Sequence, residues 1–513
     1  MFSEARSTLR RRAPFALVVP FVSALAVGCD SGSSDDAFDD VPPRSTATTD
    51  RPAPTVWPPA TTPPAPSTPP PPPQGPGELV VPGNVRLLGA TTDGFVAYYK
   101  GVTPTKSLEV YDTTKKTTQV LSASTANSDY VMASRGTVAH WSATRSPFGH
   151  GTLNFWSAAH GRVTVPGGGS LPFVFSATED GSRVAFMAKS TAPSTLGRIV
   201  TATPQTAATT PEEIEPFVST GCAMDLRHVA GRLFTSSCGA ADQVATARGL
   251  DAAGKAVFAH VEVRPGIDTS ARGEYALTVK VQGGGTLVDM TTATERALPS
   301  DVVSARLAPD GTFLLATNRG ESLVRASTSD PVSTETIVPS GVKEVLAIAP
   351  DGRHAIVATD SVSRYSGFEK RTSYALALVS LEAPFTTTTL VAMPIGSPRG
   401  FSESGKYVLY SVEPEGVTND ELRARAVAGG QEIALGTNVG RISSLPGTNA
   451  FVVFATGARV SGQPSPPSTV TKIDLDAPAA SKLIASDVGA HVVVGRTVYL
   501  GTGLAGLRAV PLP

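Results

Sequence analysis

One recurring phrase limits what this chain can fold into. Ser176-Ala177-Thr178-Glu179-Asp180-Gly181-Ser182-Arg183-Val184-Ala185-Phe186 matches Leu307-Ala308-Pro309-Asp310-Gly311-Thr312-Phe313-Leu314-Leu315. It returns as Ile348-Ala349-Pro350-Asp351-Gly352-Arg353-His354-Ala355-Ile356 and as Phe401-Ser402-Glu403-Ser404-Gly405-Lys406-Tyr407-Val408-Leu409. Each copy reads as a strand, a tight turn and a second strand. Asp-Gly supplies the positive φ of a two-residue hairpin turn, and the apolar run after it suits a strand buried on both faces. Followed through degenerate copies, the turn places glycines at 94, 136, 181, 231, 273, 311, 352, 405, 447 and 495, spaced 38 to 53 residues apart. A period of about 40 to 50 residues is that of a four-stranded propeller blade.

The units divide accordingly. In the clearest one the expected strands are Val345 to Ala349, His354 to Thr359, Tyr374 to Leu381 and Thr388 to Met393. In the first, Ser107 to Asp112 and Thr117 to Leu121 read as third and fourth strands. The Ala-Pro-Asp-Gly turns and their flanks resemble the TolB-type, WD-like repeats of bacterial propellers, across nearly all of 78–513, although the Trp-Asp dipeptide of eukaryotic WD repeats is absent. The fold class expected is therefore all-β, a propeller of four-stranded antiparallel blades. Ten units are read, whereas propellers usually have about four to eight blades. One large ring, a smaller ring of at least about seven blades with some quartets misread, and two propellers all remain open. The last unit, Val488 to Pro513, has room for only three strands, while Glu78-Leu79-Val80-Val81 resembles an outer strand without a unit. The N-terminal strand is thus expected to complete the last blade and close the ring, which removes an exposed sheet edge.

The segment before Glu78 reads differently. Arg6, Arg10, Arg11 and Arg12 precede an apolar stretch from Ala13 to Gly28, interrupted by Pro14 and Pro20. This is the pattern of an export signal rather than of a membrane span, which needs roughly 20 apolar residues. Leu25-Ala26-Val27-Gly28-Cys29 resembles the bacterial lipobox. The resemblance implies cleavage before Cys29, lipid on its thiol and attachment to the cell envelope. Residues 42–77 carry 15 of the 43 prolines, after an acidic run that includes Asp35, Asp36, Asp39 and Asp40. Such a composition cannot form a packed core and suits a semi-rigid tether. The expected organisation is a signal peptide at 1–28, the lipidated Cys29 with an acidic and Pro-rich disordered linker at 29–77, and a repeat domain at 78–513.

With Cys29 assigned to lipid, Cys222 and Cys238 remain. They flank the fourth hairpin, and a fold about Ala230 would set them opposite each other as a disulfide. Two buried thiols, or a metal pair, are the alternatives, since a one-residue change of register puts them on opposite faces. No Gly-x-Ser-x-Gly, His-Glu-x-x-His or Walker loop is present, so no catalytic residue, metal or cofactor is assigned. A net charge of −1 with only 17% charged residues argues against nucleic acid, whose phosphates require a basic surface. His140, Trp141, Arg145, His150, Trp156 and His160 crowd the second unit, but His140 and Trp141 are strand neighbours pointing to opposite faces, which favours packing over a shared pocket.

Function is sought in the connections between second and third strands, which gather at one end of a propeller. That between Ser361 and Ser373 holds Arg364, Tyr365, Phe368, Glu369, Lys370 and Arg371, and the one in the second unit holds Arg145 and His150. Tyr and Arg are enriched at interface hot spots. The function expected is a lipid-anchored scaffold that binds an envelope protein or polymer. The alternative is a propeller hydrolase or lyase acting on saccharide or peptide, with acid and base around the central channel.

Overall fold

A computed structural model describes residues 76–102, 106–125, 130–143, 151–165, 175–189, 196–203, 212–219, 225–238, 244–366, 369–413, 420–456, 468–503 and 505–512. Within them the chain is nearly all strand. Eight sheets have four antiparallel strands and one has seven. In the seven-stranded sheet, Thr387–Phe401 pairs through its first part with Glu369–Ser380 and through its last part with Tyr407–Val412. It closes one quartet and opens the next. The described residues therefore form ten quartets. Blades 1 to 6 span 85–122, 130–165, 175–219, 225–263, 268–298 and 302–338. Blade 7 spans 344–401 and blade 8 spans 387–437, sharing a strand; blade 9 spans 439–486, and blade 10 spans 490–511 together with 78–81. The fold is a β-propeller.

Period-two alternation in the strands explains how the blades pack. In Phe95–Lys100, Val96 and Tyr98 turn toward blade 10 while Ala97 and Tyr99 turn toward blade 2. Every blade is apolar on both faces in this way, and ten buried clusters result, each drawn from two successive blades. The tenth joins Val85, Leu87 and Tyr98 of blade 1 to Val492, Tyr499 and Leu507 of blade 10. Ten interfaces in a closed cycle make one ring, which decides between the open alternatives of one ring and two. First strands lie against one another, as Val85–Ala90 does with both Tyr130–Ser134 and Ala490–Val494. They occupy the inside of the ring, while fourth strands such as Thr117–Ser122 form its exposed rim.

The closure expected from the sequence is present. Glu78–Val81 pairs with Leu507–Pro511 in register Glu78↔Ala509, Leu79↔Arg508 and Val81↔Leu507. Arg508 Nη1 donates to the Gly77 carbonyl at 3.1 Å, and Val81 is buried in the tenth cluster.

Three sequence expectations need correction. The turns of the recurring phrase are not two-residue turns: Ala308 N–H bonds to Phe313 O and Gly311 N–H to Ala308 O, leaving four residues between the paired ends. Gly311 takes φ +75°, and a Cβ there would stand 2.9 Å from the Tyr275 ring of the preceding blade, so glycine is required for conformation and for space. Asp310 Oδ1 accepts the Thr312 N–H at 3.0 Å, as Asp351 does from Arg353 and Asp180 from Ser182. These carboxylates close turns. The two-residue form occurs in blades 2, 4 and 10, for example between Val229 and Arg232.

The second correction follows from that turn. Val229↔Arg232 and Asp225↔Ser236 centre the fourth hairpin between Ala230 and Gly231 rather than on Ala230, a register one residue different from that expected. Cys238 is buried and disulfide-bonded, while Cys222 and Cys29 lie outside the described residues. Thirdly, the expected loop from Ser361 to Ser373 is largely strand, and Thr388 to Met393 does not end a sheet but continues to Phe401.

Candidate functional site

The strands of blade 7 outgrow those of the other blades. His354–Ser366 and Glu369–Ser380 have 13 and 12 residues, against at most 7 in the second and third strands of the others. They stay paired beyond the blade as a hairpin, with Val362↔Ser373, Ser363↔Thr372, Arg364↔Arg371, Tyr365↔Lys370 and Ser366↔Glu369 in register. Ser363 and Thr372 hydroxyls hydrogen-bond across it at 3.0 Å. Five of the expected binding residues, Arg364, Tyr365, Glu369, Lys370 and Arg371, are therefore brought together on one hairpin, while Phe368, Arg145 and His150 lie outside the described residues.

First strands start at the end of the ring from which this hairpin projects, because each runs from there to its turn. On the inner strands of blades 4 to 7 and the connections between them lies a belt of charged side chains that the sequence reading missed. Asp225 and Arg227 stand 3.4 Å apart without hydrogen-bond alignment, and the Arg227 guanidinium donates to the Ile267 carbonyl of blade 5. Asp268 accepts the Leu307 N–H at 2.6 Å and faces Arg306 at 3.9 Å. Arg306 Nε reaches the Val345 carbonyl of blade 7 at 3.4 Å. These contacts tie neighbouring blades together at the ring's inside.

Glu344, at the start of the first strand of blade 7, extends the belt. Burial holds its carboxyl above the usual range, and the guanidinium groups of Arg306 and Arg264 oppose that shift. Burial likewise lowers Arg264, against the pull of Glu344. At the base of the hairpin, Tyr374 is 1% exposed, and burial followed by the Glu344 charge raises its phenol. Its Oη has no hydrogen-bond partner among the described residues. The signal for this belt in sequence was a charged residue interrupting an apolar inner strand, as in Val302-Val303-Ser304-Ala305-Arg306-Leu307.

The aromatic concentration of blade 2 is packing. Trp141 enters the cluster shared with blade 3 and Trp156 that shared with blade 1, where Phe95 meets it edge-on at 5.0 Å. His140 is buried opposite Asn154. Among the described residues there is no group of three or more His, Cys, Asp or Glu able to hold a metal ion, and no helix long and apolar enough to cross a membrane.

No protein-family model matches this chain, and no curated protein does. Among solved structures, an oligogalacturonate lyase from Vibrio parahaemolyticus is similar at 10% identity and TM-score 0.33, over 55% of this chain and 87% of the lyase. A TolB candidate from Agrobacterium tumefaciens is similar at 12% identity and TM-score 0.28, over 50% of this chain and 94% of its own. The tricorn protease is similar at 10% identity and TM-score 0.25, over 84% of this chain and 61% of the protease. At such identities the likeness reaches no further than the fold, and the assignment of that fold rests on the sheet order.

Proposed function

We propose that this chain is an exported propeller, held to the bacterial envelope by lipid on Cys29, that uses its hairpin-bearing face to bind another envelope protein or polymer. The observation that carries the binding reading is the blade 7 hairpin, the projection that among the described residues departs most from the plain four-stranded blade. Elsewhere the repeat returns with short strands, so the added length serves something other than ring packing. Its register sets Tyr365 beside Lys370 and Arg364 beside Arg371, and Tyr and Arg are the types enriched among the residues that dominate binding energy at interfaces. The sequence around Cys29 supports the anchor, because a basic region, a short apolar core and a Gly-Cys junction occur in the order that lipid attachment requires. The 15 prolines of 42–77 supply the tether that would hold the ring away from the lipid surface.

The test is a quantitative pull-down from detergent-solubilised envelope, comparing the intact protein with Arg364→Ala/Tyr365→Ala/Phe368→Ala. A partner retained by the first, lost by the second and binding again after purification supports the reading. Equal capture by two folded preparations contradicts it. Cys29→Ser should abolish lipid labelling of the mature protein, and labelling that persists contradicts the anchor.

A further inference from the structure

A cleft of about 200 Å³ lies between blades 1 and 2. The turns from third to fourth strand flank it, which puts it at the end of the ring away from the hairpin, since the hairpin joins a second strand to a third. Its blade 1 wall is one face of a sheet: Phe95, Asp112 and Thr117 stand in one cross-strand row, and Val110 and Gln119 in the next row on that face. Its blade 2 wall is Trp156 and Ser157 at the end of a strand, followed by Ala158 in the turn. Two sheets thus fix its shape, and it is open to solvent where Thr117, Gln119 and Ala158 are exposed. Polar groups are held around the apolar wall. Asp112 Oδ1 accepts the N–H groups of Thr114 and Lys115, each at 2.9 Å, which orients the carboxylate. Its Oδ2 faces Lys115 Nζ at 3.7 Å, an ion-pair distance too long for a hydrogen bond. Ser157 is buried, and its Oγ accepts the His160 N–H at 3.2 Å, which leaves its own proton to donate.

Size, shape and charge select the ligand. A cavity of about 150 Å³ holds a benzene-sized ring, so this cleft has room for one six-membered ring and its substituents. Phe95 and Trp156 meet edge to face, with centroids 5.0 Å apart and planes at 77°, so they offer no two parallel faces between which a flat base could stack. Asp112 and Lys115 cancel each other's charge, which favours neither an anion nor a cation. What fits between a carboxylate and an ammonium 3.7 Å apart is a hydroxyl, because it donates to one and accepts from the other. Gln119 adds an amide that both donates and accepts, and Thr117 a hydroxyl that does the same. A ring with an apolar face and several neighbouring hydroxyls matches this lining.

We propose that this cleft binds one neutral pyranose unit of a saccharide. The C–H face of the sugar rests on Trp156 and Val110, and its adjacent hydroxyls bridge Asp112, Lys115 and Gln119. The site is on other blades and at the opposite end of the ring from the hairpin, so it stands if the hairpin binds nothing.

The experiment titrates the full chain by calorimetry with glucose, galactose, mannose and N-acetylglucosamine, and with adenosine and inorganic phosphate for comparison. The expected result is saturable binding of at least one of the sugars with a Kd of about millimolar, the scale for a ligand of about a dozen non-hydrogen atoms. Adenosine and phosphate should bind about tenfold more weakly or not at all. Ala158→Trp, at an exposed turn position, should abolish sugar binding by filling the cleft. Gln119→Ala should weaken it about threefold, and Asp112→Asn, which keeps Oδ1 for the turn, about tenfold. The unfolding midpoints of Ala158→Trp and Gln119→Ala should match that of the unaltered protein, which separates a lost site from a lost fold. No binding by any of the four sugars, tighter binding of adenosine or phosphate, or sugar binding that survives Ala158→Trp would overturn the proposal.

Discussion

Two joins in this ring do the same work by different means. Blades 7 and 8 are joined through Thr387–Phe401, one strand that belongs to both sheets. Blades 10 and 1 are joined with no such strand: three C-terminal strands are completed by Glu78–Val81, which adds three register pairs and one arginine contact. Both joins bury an apolar cluster of similar make-up, and both contain a buried tyrosine bound to a glutamate. Tyr410 donates to Glu432 at 2.5 Å and Tyr98 to Glu109 at 2.9 Å. Side-chain packing between blades is thus alike around the ring. What differs is how the backbone spans the join: one strand is shared at blades 7 and 8, whereas at the closure the chain crosses from Val81 to Val85 and blade 10 is assembled from both ends of the chain, so the closure is expected to be the weaker join.

The largest effect follows from removing the closure. Deletion of 78–81 should expose the edge of Leu507–Pro511 and strip Val81 from its cluster, costing roughly 4 kcal/mol in urea unfolding and promoting association of chains through the open edge. A monomer of unchanged midpoint would show that the two joins are equally strong. Next comes the disulfide of Cys238, for which we propose Cys222 as the partner. Cys238→Ala should cost about 3 kcal/mol for a loop of this size, and peptide mapping without reduction should recover Cys222 joined to Cys238; a linkage to any other thiol refutes the pairing.

The paired tyrosines sharpen the contrast. Tyr98→Phe leaves Glu109 with only Ser107, whereas Tyr410→Phe leaves Glu432 with Arg423 at 3.0 Å. Losses of about 2 kcal/mol for the first and about 1 kcal/mol for the second are expected, and the reverse order would mean that the closure tolerates an unpaired carboxylate. Acid should weaken the closing blade as well. Burial depresses His491, in its first strand, from 6.5 to about 4. The unfolded chain then binds a proton that the folded chain refuses, so stability is full above about pH 6.5 and falls as pH drops toward about 4. A loss of about 1 kcal/mol by about pH 5.5 is expected from this group, and His491→Phe, which keeps the stack on Phe454, should reduce the slope. The smallest effect belongs to the hairpin. Replacing 363–372 by a two-residue turn should change the unfolding free energy by less than about 0.5 kcal/mol, and a larger loss would make the hairpin part of the ring.

Much of this architecture was legible because each blade repeats one local solution. Gly311, Gly352 and Gly405 mark turns whose positive φ favours glycine, and the alternation of Val96, Ala97, Tyr98 and Tyr99 announces a strand buried on both faces. The closing strand was legible from arithmetic, three strands at one end and a spare at the other. The shared strand was not. The strand expected from the sequence stopped at Met393, but the fixed φ of Pro394 and Pro398 fits an extended chain, and the rim of one sheet and the inner edge of the next both tolerate a missing N–H. The hairpin was read as a loop because polar residues such as Ser361, Ser363 and Arg364 carry no apolar alternation once the strands leave the core. Glu344 and Arg264 are 80 positions apart, so no local pattern could have joined two charges that act on each other only in the folded chain.

The claim on which all of this depends is a single ring of ten blades closed by the N-terminal strand. Electron-microscopy class averages of the 78–513 body viewed along the ring axis test it most directly. Ten spokes around one axis is the result predicted; two smaller rings, or one ring with fewer spokes, would contradict it.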